Sequence, residues 1–481
     1  MNGRVLVAAS IVMVLWGLLA GASLLFVVAM CVWVCMMISA YFDLERNFLE
    51  FAFGLAFFTF LMGREFLEQY SLHSLEEAFS PEINNHLAIS VLVALLCFWI
   101  AFSFFNRRKR VASDESESEE TESEETTRWS AYNTAVRKYS KLMFFLSMPF
   151  TFITSLVVSA IVFVVGYQES YLVVPVVMEN VPILYVFDKI GIMMPASFCI
   201  FSATLPSKGE FYKLGKWFLL YSFLTVFEGA RGTFLINLLV FASILAYMQC
   251  VAPDEKWFDK QKCVRWAMIG VPFVMISSVA ISVGRSGEKW NDINLSESMT
   301  DFVYQQGVTG LSIKRAYEME ASIPEPVSGF YTLEFLHSGL PARLLGIKVY
   351  SGNNEDHALE GNSMKFALAY ATMGDNFLEG QGTGSSYIIE TYYDFGYIGV
   401  ALGSICYAFL LSLIHHLSVN SVFAKSLALI VLGDVLWSTR AGFTDFLQHL
   451  FAPTILFVIA FIFIKARRKV ASEMTDDNDA N

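Results

Sequence analysis

Three arginines stand at breaks between apolar runs: Arg231 in EGARGTF, Arg285 in VGRSGEKW and Arg440 in WSTRAGFTDF. A guanidinium is a planar fork of donors that matches two phosphate oxygens at once. A converging set would hold a diphosphate and stabilise it as a leaving group. Flanking glycines would let backbone N–H groups approach the same anion. The plainer account is that each arginine snorkels to a membrane boundary, or that Arg231 pairs with Glu228 three residues before it. An arginine at the centre of a membrane helix costs about 2.5–3.5 kcal/mol. Three that emerge at one face tip the balance toward a shared anion.

A second group of residues lies in EGQGTGSSYIIETYYDFG, residues 379–396. A turn containing Gly380, Gly382 and Gly384 leads into a helix that begins near Ser385, Ser386 and Tyr387. Glu390 and Asp394 are four apart and share one helical face, as do Tyr393 and Tyr397. Aromatic rings of this kind stack on sugars, and carboxylates bind hydroxyls or act as bases. Gly382, Gly384, Ser385, Ser386, Tyr387, Tyr393 and Asp394 are therefore candidate glycan-binding residues, with Glu390 a candidate base. A loop followed by an aromatic belt is the bland alternative.

Two histidines add to this. His357 lies in NNEDHALEGNS and His337 in EFLHSGLPAR. Either imidazole would deprotonate a hydroxyl near neutral pH, and His357 joins Glu390 as a candidate catalytic base. Asp356, His357 and Glu360 can be weighed as metal ligands, but the balance is against a metal. No Walker loop, HExxH pair or dinucleotide fingerprint occurs. The one DxD string, Asp477 to Asp479, lies in an acidic tail. No inner segment is large enough for a nucleotide-sugar transferase domain, so a lipid-linked donor at the outer face fits better. No cofactor is expected.

The elements that must position these groups are membrane helices. Of 481 residues, 55% are hydrophobic and only 16% charged, against about 25% charged in soluble domains. The net charge of -12 is local, because twelve of the 45 acids lie in two runs, Asp114 to Glu125 and Glu473 to Asp479. The remaining 33 acids balance 33 bases, so no nucleic-acid partner is expected. The cysteines form no CxxC pair and no disulfide framework.

Apolar runs of membrane-spanning length predict an all-α polytopic protein with about twelve transmembrane helices. They fall near 4–22, 24–42, 48–64, 86–105, 142–166, 182–204, 216–230, 232–250, 266–283, 394–414, 423–439 and 447–464. Placing the N-terminus in the cytoplasm puts 22 of the 33 bases on inner segments, RRKR and KARRK among them. Both termini are then cytoplasmic. The organisation predicted is helices 1–4 in 1–105, an acidic disordered linker at 106–141, helices 5–9 in 142–283, one large outer loop at 284–393, helices 10–12 in 394–464 and an acidic tail at 465–481. Short amphipathic helices are expected in the loop, over Ser296 to Glu320 and Ser363 to Met373. No internal repeat of the kind many transporters carry is visible.

The run GQGTGSSYIIETYYDFGYIGVALGS resembles the signature of the bacterial O-antigen polysaccharide polymerases of the Wzy type. The GARG step at 229–232 is similar to a second element of that family, and VPILYVFDKIG with the following TLPSK resembles it more weakly. The resemblance implies a fold of the GT-C membrane glycosyltransferase type in the bacterial inner membrane, with the large loop in the periplasm. It implies en bloc transfer of glycan from undecaprenyl diphosphate to a lipid-linked repeat unit, with membrane lipid and a chain-length regulator as partners. By the same resemblance Arg231 contacts diphosphate and 382–396 shape the site. Arg285 and Arg440 are added from the residues themselves. An O-antigen ligase acting on lipid A core is the nearest alternative, and a flippase or transporter the next, on the strength of Asp188, Lys189 and Asp434.

Overall fold

The computed structural model describes residues 2–114, 124–257, 261, 265, 295–416 and 422–479. Arg285, the predicted span 266–283 and the centre of the acidic linker lie outside them. Among the described residues the regular structure is entirely helical. That is what a hydrocarbon environment demands, because a helix satisfies its own backbone N–H and C=O groups.

Seven of these helical stretches are long and apolar enough to cross a membrane: Leu24–Phe42, Pro81–Asn106, Ser130–Val165, Pro182–Ala203, Arg231–Val251, Tyr387–Ile414 and Val422–Arg440. Each coincides with one of the twelve predicted spans. The first predicted span forms the helix Asn2–Ala20, of which Val7–Ala20 is the apolar part. The predicted span 48–64 is helix Phe48–Phe57, a π-helical turn Phe58–Met62 and helix Gly63–Gln69. The run 216–230 belongs to a helix that begins earlier, Lys208–Phe227, and 447–464 is broken between Asp445–Leu450 and Pro453–Asp479. The helices Pro81–Asp114 and Glu124–Val165 extend into the segment expected to be a linker.

The breaks have local causes. After Ala20 the chain turns at Gly21, whose φ of 78° suits glycine, and Ser23 caps the next helix by accepting from the Phe26 amide. The GARG step is a helix C-cap of the Schellman kind: Gly229 has φ 84°, and Ala230 N donates to Thr225 O at 2.9 Å. Gly229 therefore ends one helix, and Arg231 begins the next.

The chain divides into two units. The first comprises Met1–Ser103, Leu245–Leu411 and Asp434–Phe446. In it, helices Leu295–Gln306 and Val308–Glu318 lie against the π-turn. Glycines allow the approach: a Cβ on Gly310 would sit 2.6 Å from the Leu61 carbonyl oxygen. Charges then tie the segments together. Buried Lys314 pairs with buried Glu65 at 2.5 Å, Arg64 bonds Glu68 and Glu76 at 3.2 and 3.1 Å, and Arg315 meets Glu77 at 2.9 Å.

The second unit comprises Phe104–Ile244, Ser412–Gly433 and Leu447–Asn481. Phenylalanines fill its core, with Phe198 stacked on Phe218 at 4.6 Å and Phe211 on Phe241 at 5.4 Å. The TLPSK string, residues 204–208, joins the end of helix Met193–Ala203 to the start of helix Lys208–Phe227. Its carbonyls are collected by Arg137, which donates to Thr204 O at 2.7 Å and Leu205 O at 2.9 Å. That string therefore has a structural role at a helix C-terminus.

Candidate active site

The glycine-rich segment is a turn that feeds a helix. Gly380 and Gly384 have φ of 94° and 72°, and the Ser386 hydroxyl accepts from the Ile389 amide at 3.3 Å, capping Tyr387–His416. Gly382 is exposed and Gly384 half-buried. Ser385, Ser386 and Tyr387 point into the first unit and are buried. The Tyr387 hydroxyl shares a hydrogen bond with that of Ser404 at 3.0 Å.

Glu390 and Asp394, on one face of this helix, reach different loops. Asp394 accepts from the amides of Tyr331 and Thr332 at 3.0 and 2.8 Å. It thereby caps the short helical turn Tyr331–His337, the source of Glu334. Glu390 accepts from the Phe443 amide at 2.7 Å and from the Ser385 hydroxyl at 3.4 Å. Gly396, with φ 63°, interrupts the helix just past this pair.

These contacts assemble a charged cluster that sequence spacing does not reveal. Glu334 is buried and lies 3.8 Å from the half-buried ammonium of Lys365. A Cβ on Gly442 would sit 2.6 Å from Glu390 Oε1 and 2.9 Å from Asp445 Oδ1. The two carboxylates thus face one another over a residue with no side chain. Burial works against the Lys365 ammonium, yet Glu334, Asp445 and Glu390 around it raise its pKa. Burial and the Glu334 charge push Asp445 up to about 7.

His357 borders the same cluster. Its Nδ1 lies 2.8 Å from the Gly352 carbonyl, so that nitrogen carries the proton and Nε2 is the acceptor. The ring stacks on Phe366 at 3.8 Å. Burial lowers its pKa, Lys365 acting in the same sense and Glu334 against it, so the imidazole is neutral at neutral pH. Burial lowers His337 also. His357 and Glu390, found from sequence, are thus joined by Glu334, Lys365 and Asp445, which were not. The available signal was slight: Glu334 stands three residues before His337, and Asp445 five after Arg440.

The remaining candidates are placed as follows. Tyr393 meets Tyr331 edge to face at 5.4 Å and lines a cleft with His86, Tyr317 and Tyr392. Tyr397 bonds His86 Nδ1 at 3.0 Å. Arg440 donates to the Gln306 carbonyl at 3.4 Å, with its guanidinium 5.7 Å from the Trp437 ring. It belongs to the first unit and Arg231 to the second. Among the described residues, no three His, Cys, Asp or Glu side chains are grouped to hold a metal ion.

The fold and site define a multi-pass helical membrane protein with a buried carboxylate–ammonium cluster built from segments next to its membrane helices. Residues 4–470 match the family model of the O-antigen polysaccharide polymerase Wzy, and the chain belongs to that family. Neither the curated proteins nor the solved structures contain a match.

Proposed function

We propose that this protein lengthens O-antigen or a related surface polysaccharide by glycosyl transfer from undecaprenyl diphosphate at the periplasmic face of the inner membrane. The observation that carries this reading is family membership along nearly the whole chain. The signature segment agrees with it, because its Glu390 belongs to a charged cluster suited to proton transfer. A GT-C type of architecture, cytoplasmic termini and a chain-length regulator as protein partner belong to the same proposal.

In the reaction, the oxygen of a sugar hydroxyl on one lipid-linked repeat attacks the anomeric carbon of the growing chain. The bond from that carbon to the diphosphate oxygen breaks, and its electron pair leaves with the polyprenyl diphosphate. Arg231, Arg285 and Arg440 are each candidates to bind diphosphate, since a guanidinium can hold departing charge through bidentate donors. The hydroxyl proton goes to the cluster around Lys365, of which Glu390 and His357 are the members legible in sequence. Gly382, Gly384, Ser385, Ser386, Tyr387, Tyr393 and Asp394 shape the glycan side. The buried members set the helix start, and the exposed turn and Tyr393 face sugar.

The test is a gel of surface polysaccharide from a deletion strain complemented with wild type or Arg231→Ala. A ladder that collapses to one added repeat, restored by wild type and not by an equally expressed Arg231→Ala, is the expected result. Loss of every band, the single repeat included, points to a ligase or flippase instead. Normal chain length and yield with Arg231→Ala would remove that arginine from the site.

A further inference from the structure

We propose that residues 339–349 are seated in the membrane: Leu344, Leu345 and Val349 enter the lipid leaflet beside the candidate site, and this seat fixes the turn that carries Glu334. The seat goes beyond the glycosyl-transfer reading, and only its effect on chain growth rests on that reading. The local chain builds it. Helix Gly339–Leu345 ends at Gly346, whose φ is 71°. The amides of Gly346 and Ile347 turn back to the Arg343 and Ala342 carbonyls at 3.3 and 2.8 Å, a Schellman closure. Ala342 on this short helix is buried, whereas Leu344 is 77% and Leu345 59% exposed. Val349 follows and is exposed too. Exposed leucines scattered singly are ordinary. A group of them outside the spanning helices marks an interaction surface.

The neighbours of this group identify its occupant as lipid. Helix Gly339–Leu345 packs on the turn Tyr331–His337. Phe330, exposed at the start of that turn, stacks on Phe395 at 5.1 Å. Phe395 belongs to Tyr387–Ile414, a stretch long and apolar enough to cross a membrane. It is half exposed, and Ile398, three residues on, is 73% exposed. Apolar side chains on the outside of a spanning helix face hydrocarbon. The apolar group of the loop is therefore continuous with a lipid-facing surface. Arg343 and Lys348 flank the leucines and are exposed. Cations at the edge of an apolar insertion reach lipid phosphates while their stems stay in apolar surroundings. Lys348 also lies 3.6 Å from Asp356 and 4.3 Å from the centre of the Tyr350 ring, which keeps it on the polar side. Asp394 of the spanning helix holds the same turn through the Tyr331 and Thr332 amides. Glu334 is thus carried on a turn fixed by a spanning helix on one side and a membrane-seated helix on the other.

The experiment uses the full chain in nanodiscs of phosphatidylethanolamine and phosphatidylglycerol. Leu344→Cys is labelled with a bimane fluorophore, and the signal of the unsubstituted chain is subtracted. Bromine on the lipid acyl chains should quench the label and iodide in the water should not, as for a side chain about 5–10 Å inside the headgroup boundary. Quenching by iodide and not by bromine overturns the proposal. Shielding from both means that protein, here a second copy of this chain, covers the leucines, and overturns it equally. In cells, Leu344→Glu combined with Leu345→Glu should shorten the polysaccharide at equal expression, because charge is expelled from the leaflet. Leu344→Phe combined with Leu345→Phe should keep the normal ladder. A normal ladder from the glutamate pair overturns the link between the seat and the turn of Glu334. Quenching does not depend on glycosyl transfer, whereas the ladder does. If wild type restores no ladder, the glycosyl-transfer reading fails and quenching alone decides the seat.

Discussion

The amide of Phe443 donates to the carboxylate of Glu390 at 2.7 Å, and the carbonyl of Phe443 accepts from the hydroxyl of Tyr407 at 2.8 Å. Both backbone polar groups of one loop residue are therefore satisfied by a single helix, Tyr387–His416. An intramolecular hydrogen bond contributes about 0.5–1.5 kcal/mol net. This is what holds the segment of Arg440 and Asp445 against the glycine-rich signature.

Gly442 occupies the narrow place between two carboxylates. Gly442→Ala would put a methyl group 2.6 Å from Glu390 Oε1 and 2.9 Å from Asp445 Oδ1. One of them must move. A displacement of about 1 Å at reacting groups costs about 100-fold in rate. Polysaccharide gels from cells making equal amounts of protein should show short chains. An unaltered ladder would mean the pair has no part in chain growth.

Asp394 acts at a distance from chemistry. Asp394→Ala removes both acceptors for the Tyr331 and Thr332 amides. Loss of a cap of this kind costs about 1 kcal/mol, and it frees the turn that carries Glu334. The purified variant should melt earlier than wild type, and protease should cut near 331–337 sooner. Unchanged protection there would show that the turn holds without its cap.

The Lys314–Glu65 pair, with side chains 4% and 6% exposed, ties helix Val308–Glu318 to helix Gly63–Gln69. Removing one partner leaves a buried charge, at a cost of about 3–5 kcal/mol. Lys314→Met should therefore be expressed poorly. Lys314→Met with Glu65→Leu should recover much of the loss, because an apolar pair of similar size replaces the ions. Equal yields for single and double variants would contradict this.

Stability should carry the signature of Asp445. Its pKa is about 7 in the folded protein, against about 3.9 in an unfolded chain. Between those values the native state binds more protons than the unfolded one. The contribution of Asp445 to stability is therefore present at low pH and lost as pH rises toward 7. Thermal midpoints of wild type and Asp445→Asn, compared across that window, should lie closest at its acid end, where both side chains are neutral, and separate as pH rises toward 7, with the variant the more stable. A constant difference between the two would remove the linkage. His357, whose pKa is lowered, contributes in the opposite sense, and the comparison cancels it.

Composition and apolar run length were enough to define a helical membrane protein, because a helix in hydrocarbon is specified by about 20 consecutive apolar residues. The signature at 380–404 named the family for a similar reason: its glycines, its capping Ser386 and its paired Glu390 and Asp394 all act within a few residues of one another. What sequence could not supply was the partner of each side chain. Glu390 and Asp394 looked like a matched pair, yet one reaches Phe443 and the other Tyr331 and Thr332. Lys365, Glu334 and Asp445 carry no motif, and they acquire meaning from burial beside one another. A charge in water has little effect on a neighbour, whereas the same charge in a low-dielectric interior changes the proton affinity of everything around it. Only the folded chain determines which charges share such an interior.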